Sequence, residues 1–264
     1  MGTGLAESLA SARAVFAEVD DALSQKLSKI MWEGPEADLT LTENAQPAIM
    51  AASIAVLRVM EKEFGLDVAR HAALVAGHSL GEYSALCAAG AFTLADTARL
   101  LKTRGQAMQS AVPVGEGGMT ALIGAEIEQA EDVAVEASRE GGICVVANDN
   151  APGQVVISGT LDALARVPDI AKAKNIKRAI PLSVSAPFHC PLMQPAAQVL
   201  AEAMAGVTIR PLSVPVLANV IAAPEREPDH VRQLLVTQVT NRVRWRESIL
   251  SLRDLGIDTT VEFG

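Results

Sequence analysis

The chain has 264 residues, 50% of them hydrophobic, which is enough apolar material for one large domain or a domain with a smaller insert and excludes a disordered or fibrous protein. A formal net charge of -9 and a pI near 5.0 give no electrostatic footprint for nucleic acid, and 3% aromatic content leaves no base-stacking platform. Cys87, Cys144 and Cys190 show no CxxC spacing, which reads as a reducing, cytoplasmic setting and argues against structural zinc. No apolar run reaches the roughly 18 to 20 residues that a bilayer requires, so a soluble protein away from membranes is expected.

In chain order, MGTGLAESLASARAVF places Leu5, Leu9, Val15 and Phe16 in helical phase and reads as an amphipathic helix, not a targeting segment. The helical pattern holds from Ser11 to Met60, with Asp20 or Asp21 as a cap before ALSQKLSKIMW and Glu43-Asn44 opening a long Ala-rich helix that Gly65 ends. AALVAGHSLGEYSALCAAG predicts a short strand ending at Val75, a Gly-flanked turn and a helix from Glu82 to Ala89. Thr93 or Asp96 caps a further helix, closed by the loop from Pro113 to Gly118.

The rhythm then changes to β, α, β, β, α, β: MTALIGA, a helix near Glu126 to Ser138, GICVVAN, QVVISG, a helix near Leu161 to Ala173, and KRAIPLSVS. That order is the split βαβ, or ferredoxin-like, unit. It places a ferredoxin-like insert at 114–185 inside a larger α/β domain made of 1–113 plus 186–264. The tail predicts a helix after Pro191, a strand around Val214 to Asn219, a helix near Asp229 to Thr237 and a final strand, TTVEFG. A parallel strand normally feeds a covering helix, and the first element has no strand before it, so a chain truncated at both ends is expected.

Gly77-His78-Ser79-Leu80-Gly81 is a GxSxG between a predicted strand and a predicted helix, the context that a nucleophile elbow requires. The sharp turn projects the serine oxygen over the strand end, and the helix N-terminus aims backbone N–H groups at a developing oxyanion. A glycine-rich turn whose serine caps the helix is the plainer alternative. A serine needs a base, and only His71, His78, His189 and His230 exist. His78 adjoins Ser79 and points away, His71 sits at the far end of the strand, and His230 lies in the charged stretch EREPDHVR. His189 lies at the return from the small domain to the large one, which borders the cleft; a half-buried helix-cap histidine is its alternative.

GHSLGEYSAL at 77–86, RGQAMQ at 104–109, NDNAPGQVVISG at 148–159 and SAPFHC at 185–190, with TENAQPA at 42–48 and NRVRW at 241–245, resemble the malonyl-CoA:acyl carrier protein transacylase family across essentially the whole chain. The resemblance implies an α/β fold in which a hydrolase-like large domain with a parallel sheet carries the ferredoxin-like insert. It implies malonyl transfer from coenzyme A to the pantetheine thiol of acyl carrier protein in fatty acid biosynthesis, with Ser79 as nucleophile and His189 as base. Gln238 matches the position whose backbone carbonyl orients the histidine, and Leu80 N–H is the oxyanion donor after the serine. Arg104 would clasp the malonyl carboxylate, whereas from sequence alone it is an arginine in an amphipathic helix suited to a surface salt bridge.

Asn148 and Asn150 would donate to the acyl or pantetheine portion, although paired asparagines around Asp149 are equally an ordinary turn signal. Phe188 resembles the aromatic that denies space to a 2-methyl group. The cluster AKAKNIKR, with Lys177 and Arg178, would meet the acidic carrier protein or be only solvated helix-end lysines. No metal or redox cofactor is implied, the coenzyme A thioester being substrate, and a monomer is expected. The family's preceding GQGSQ-type loop, whose N–H completes the oxyanion hole, and the GPG turn after VEFG fall outside this sequence, so the 264-residue form is expected to be poorly active or insoluble. Two other readings stand: a serine esterase or thioesterase, for which Arg104 has no use, and an inactive fragment that only binds carrier protein.

Overall fold

The computed structural model describes residues 1–184 and 186–263; Ser185, the last residue of KRAIPLSVS, and Gly264, the last of TTVEFG, lie outside the described residues. Helices α1 (Thr3–Ser8) and α2 (Ala10–Leu23) form the amphipathic start, with Val15, Phe16 and Val19 buried. Asp20 lies inside α2, not ahead of a new helix. Its carboxylate reaches forward to accept from the backbone N–H of Ser28 at 2.8 Å and its hydroxyl at 2.7 Å, capping α3 (Leu27–Glu33) through space. α4 (Glu36–Thr40) leads into α5 (Thr42–Phe64), which Gly65 ends at φ 70°.

After α6 (Val68–His71), a strand of only two residues, β1 (Val75–Ala76), precedes α7 (Leu80–Ala88) and α8 (Leu94–Ser110). Thr93, not Asp96, caps α8: its hydroxyl accepts from the Asp96 N–H at 3.0 Å. α8 crosses the start of α5 very closely. A Cβ at Gly105 would sit 2.5 Å from Glu43 Cα and 2.7 Å from the Thr42 carbonyl, so only glycine allows this approach.

The middle of the chain builds β2 (Gly117–Ile123), α9 (Ile127–Ser138), β3 (Cys144–Ala151), β4 (Gln154–Thr160), α10 (Leu161–Ala173) and β5 (Arg178–Pro181). The four strands pair antiparallel in the order β3-β4-β2-β5, the ferredoxin-like arrangement. One face of this sheet buries Leu122, Val155 and Ile157 with Val133 of α9 and Val167 of α10. The other presents Met119, Ala147 and Val156 to Phe188.

The asparagine pair does not make the turn that its composition suggests. β3 runs on through Asn148–Asn150 with an irregular register, and the chain reverses at Pro152-Gly153, where φ is 72°. Contacts from outside hold the strand extended: Asp149 N–H donates to the Val243 carbonyl at 3.0 Å, Val243 N–H to the Ala147 carbonyl at 2.8 Å, and Arg246 Nε grips the Asp149 carboxylate at 2.9 and 3.0 Å.

A 3-10 turn (Pro191–Met193), α11 (Gln194–Ala205), β6 (Val216–Ala218), β7 (Ala223–Glu225), α12 (Pro228–Gln238) and α13 (Trp245–Asp254) complete the large α/β body. Its sheet has the order β1-β6-β7, with β1 and β6 parallel and β7 antiparallel, so it is shorter and more mixed than the parallel sheet expected. Helices supply most of the core, through residues such as Phe16, Ile54, Leu86, Leu101 and Leu200. The run at 259–263 is not a strand: Thr259, Thr260, Val261 and Glu262 are exposed, and no strand among the described residues pairs with them, so β propensity has no ladder to join.

Candidate active site

Parallel pairing of β1 with β6 sets their C-terminal ends side by side, which brings Asn219 next to the turn Gly77-His78-Ser79. Ser79 is held at φ 52°, ψ -107°, a conformation that an L residue keeps only when its surroundings impose it. Asn219 imposes it: its Oδ1 accepts from Ser79 N–H at 2.7 Å and its Nδ2 donates to the Gly77 carbonyl at 2.8 Å. A Cβ on Gly77 would lie 2.0 Å from the Gly81 carbonyl oxygen, which fixes glycine at that position. Ser79 therefore stands half-buried at the N-terminus of α7, and Leu80, the first residue of that helix, has an N–H with no acceptor within the helix.

His189 Nε2 lies 2.8 Å from Ser79 Oγ, and His189 Nδ1 lies 2.8 Å from the main-chain carbonyl of Gln238. Gln238 is the last residue of α12, so its carbonyl lacks an intrahelical donor and is available to the ring. A carbonyl can only accept, which puts the proton on Nδ1 and leaves the Nε2 lone pair facing the serine hydroxyl. Burial first, and then the charge of Arg104, pull His189 down to about 3, against the opposing contact with the Gln238 carbonyl. The imidazole is neutral at pH 7, the state a general base requires.

Arg104, on α8, is only 2% exposed, which excludes the surface salt bridge. Its Nη1 donates to Gln46 Oε1 at 2.6 Å, and its Nη2 donates to Ser79 Oγ at 2.9 Å and Gln238 Oε1 at 3.0 Å. The guanidinium sits over the Tyr83 ring, 5.6 Å from its centroid. Arg104 Nε and the Tyr83 hydroxyl are buried without partners, and among the described residues no carboxylate pairs with this arginine. Burial lowers its pKa, opposed by Tyr83 and Glu82, but a guanidinium stays charged. The serine oxygen thus accepts from a cation and donates to a neutral imidazole.

Asn148 and Asn150 lie close to this turn but act on His78, not on an open cleft. His78 Nε2 is 2.8 Å from Asn150 Oδ1 and 3.3 Å from Asn148 Nδ2; the shorter contact makes Nε2–H a donor to Asn150, with Asn148 alongside. His78 also packs edge-on to Trp245, ring centroids 5.6 Å apart, and burial lowers its pKa. The two amides expected to face acyl or pantetheine groups both contact this histidine, through Asn150 Oδ1 and Asn148 Nδ2. Phe188, half-buried before His189, packs against both the large-body core and the inner face of the small sheet. Lys177 and Arg178 are exposed at the start of β5, an edge strand, while Lys174 pairs with Glu136 at 3.2 Å. His71 accepts from Asp67 N–H at 2.9 Å and His230 contacts Glu225, both in exposed positions.

Sequence reasoning assigned no role to Gln46, Glu82, Tyr83 or Asn219. The first three stand within TENAQPA and GHSLGEYSAL, and Asn219 follows a parallel strand, where ligands gather in α/β sheets. Glu82 is 1% exposed and accepts from Gln238 Nε2 at 2.8 Å and from Asn219 N–H at 3.2 Å. Burial pushes its carboxyl up to about 7, against the pull of those donors and of Arg104.

A serine on a strained strand-to-helix turn, a neutral histidine against its oxygen and an unpaired buried arginine beside both make a site equipped for acyl transfer onto and off a hydroxyl. The chain belongs to the acyl transferase domain family, whose match spans residues 1–264, and it is an acyltransferase. It is 43% identical to the malonyl CoA-acyl carrier protein transacylase of Bacillus subtilis (strain 168), over 100% of this chain and 82% of that protein. The solved acyl-carrier-protein-S-malonyltransferase from Bartonella henselae superposes with a TM-score of 0.97 at 54% identity, covering 100% of this chain and 83% of that one. A malonyl-transacylase solved in complex with a type II PKS acyl-carrier protein gives a TM-score of 0.92 at 40% identity, covering 97% and 82%.

Proposed function

We propose that this acyltransferase moves a malonyl group from coenzyme A to the pantetheine thiol of acyl carrier protein, through a malonyl ester on Ser79, in fatty acid biosynthesis. The observation that carries the reading is Arg104: a fully buried cation, held among the described residues by neutral oxygens only, whose Nη2 rests 2.9 Å from the Ser79 oxygen. In a malonyl thioester the carboxylate lies two bonds beyond the reacting carbonyl, so an anion arrives beside this cation as the carbonyl reaches Ser79. Acetyl brings none, and a simple esterase has no use for the clamp.

Ser79 Oγ passes its proton to His189 Nε2 as it attacks the thioester carbonyl, and Leu80 N–H faces the oxygen that becomes negative. When the carbon–sulfur bond breaks, the proton moves from His189 to the departing thiolate. The pantetheine thiol of carrier protein then gives its proton to His189 and takes the malonyl group, regenerating the Ser79 hydroxyl. The Gln238 carbonyl holds the ring tautomer throughout. Phe188 narrows the space beside the malonyl methylene, against 2-methyl groups, and Asn148 and Asn150 shape the entry by steadying His78.

Exposed Lys177 and Arg178 offer cations to the acidic carrier protein, the partner seen with one structural relative. The reading uses no cofactor beyond the coenzyme A thioester and a single copy of the chain. Its setting is the cytoplasm; among the described residues no helix is long and apolar enough to cross a membrane.

Intact-mass analysis after mixing with malonyl-CoA or acetyl-CoA tests this. The expected result is one malonyl adduct on the chain, far less acetyl adduct, and neither on Ser79→Ala. No adduct, or an adduct that persists in Ser79→Ala, contradicts the assignment.

A further inference from the structure

Behind the reactive groups lies a carboxylate that touches none of them. Glu82 sits on α7 one turn beyond Ser79, and its Oε2 accepts from two neutral donors, the Gln238 side-chain amide at 2.8 Å and the Asn219 main-chain N–H at 3.2 Å. Placing a carboxylate where it meets only neutral donors costs several kcal/mol in desolvation. A glutamine or an apolar residue would fill that volume more cheaply, so the charge itself calls for an explanation.

The geometry around Gln238 supplies one. Gln238 Nε2 faces three oxygens: Glu82 Oε2 at 2.8 Å, the Ser79 carbonyl at 3.0 Å and Asn219 Oδ1 at 3.3 Å. Its other end, Oε1, accepts from Arg104 Nη2 at 3.0 Å. Turning the amide over would set oxygen against the Glu82 carboxylate and NH2 against the Arg104 guanidinium, two repulsive contacts in a buried site. The carboxylate is the nearest and the only charged of the three oxygens that turn the amide this way, and the amide in turn fixes where Arg104 Nη2 rests. On its other side Glu82 holds Asn219, whose side chain grips Ser79 N–H and the Gly77 carbonyl.

We propose that Glu82 is a positioning residue for acyl selection: acting through the Gln238 amide, its carboxylate holds Arg104 where a carboxylated acyl group meets it, while through Asn219 it steadies the Ser79 turn. This deepens the malonyl reading above and rests on it. If Glu82 is merely structural, its replacement lowers reaction with every acyl thioester alike. If it positions Arg104, its replacement weakens malonyl more than acetyl, chiefly in KM, because only malonyl uses Arg104.

The test is kcat/KM for acylation by malonyl-CoA and by acetyl-CoA in the wild-type chain, Glu82→Gln, Gln238→Met and the double variant. Gln238→Met keeps the main-chain carbonyl on His189 while removing the relay. Each single variant is expected to lower the malonyl-to-acetyl ratio by about tenfold or more, the loss of one charge-assisted hydrogen bond. The double variant should fall little further, since both act on one path. A ratio unchanged in Glu82→Gln, or in Gln238→Met should Glu82→Gln fail to fold, overturns the proposal. A wild-type chain without preference for malonyl overturns the malonyl reading itself, and this proposal with it.

Discussion

Replacing Arg104 with methionine keeps an apolar stem on α8 and removes the guanidinium that lies over Tyr83, and with it the charge. In the structure the guanidinium contacts Gln46 Oε1, Ser79 Oγ and Gln238 Oε1 and, among the described residues, no carboxylate, so the substituent that loses a partner during the reaction is the malonyl carboxylate. A charge-assisted pair in a desolvated site is worth about 3 kcal/mol, which corresponds to roughly 150-fold in kcat/KM for malonyl-CoA. Acetyl-CoA has no carboxylate to lose and should change by less than about tenfold, so the malonyl-to-acetyl ratio should fall by at least about an order of magnitude. Gln46 and Gln238 each lose a donor, but a buried cation is removed as well, and the net loss of folding stability should stay below about 3 kcal/mol. Because the charge of Arg104 is the second cause that depresses His189, the acid limb of acylation should also move to higher pH in this variant. Rapid-quench acylation with both thioesters across pH, read by intact mass, measures the rates and the acid limb, and urea titration measures the stability. Equal losses for malonyl and acetyl would show that Arg104 supports the fold without recognising the carboxylate.

Three further outcomes are expected. His189→Ala should slow acylation of Ser79 by about 1,000 to 10,000-fold with folding retained, and in the parent chain His189, at about 3, should contribute no step of its own to acylation between pH 5 and 8, its effect appearing only as pH falls toward its folded value; a step near pH 6.5 traced to His189 contradicts its buried, neutral state. Glu82, raised from 4.5 to about 7, gives a stability contribution that is full below pH 4.5 and lost as pH rises through 7; the Glu82→Gln variant should therefore gain on the parent by about 3 kcal/mol between pH 4.5 and 8 in urea titrations, and a pH-independent difference refutes it. Gly77→Ala forces a Cβ to within 2.0 Å of the Gly81 carbonyl and should cost about 3 kcal/mol along with most Ser79 acylation, whereas wild-type stability in chemical denaturation contradicts the packing argument.

Ser79 and His189 were legible because their signals are local: a five-residue turn motif between a strand and a helix, and a chain with four histidines from which to choose. The small antiparallel sheet was legible as well, since its strands and helices alternate in the order that its pairing follows. Arg104 shows where periodicity stops. Helical phase locates it on α8, but its burial depends on Gln46 and Gln238, residues 58 and 134 positions away that only the folded topology brings together. Glu82 and Asn219 were missed for the same reason, being separated by 137 positions and joined only when β1 pairs with β6.

Tertiary contacts also overrode local propensity. The turn-forming pair Asn148 and Asn150 was drawn into a strand by Val243 and Arg246, and Asp20, inside α2, capped a helix that starts seven residues further on. The strand-forming run at 259–262 stayed exposed for want of a partner among the described residues, and α13, with its dense charge, gave no clear helical signal in the sequence.

Whether Ser79 carries a malonyl group to a thiol can be followed in a chase. The acylated chain is freed of malonyl-CoA and then given carrier protein bearing pantetheine, carrier protein lacking it, or buffer alone, with the masses of both proteins followed over time. The malonyl mass should leave Ser79 and appear on the pantetheine-bearing carrier protein, while the other two arms stay acylated. Loss of the acyl group to water at the same rate in all three arms would contradict it and make the chain a hydrolase.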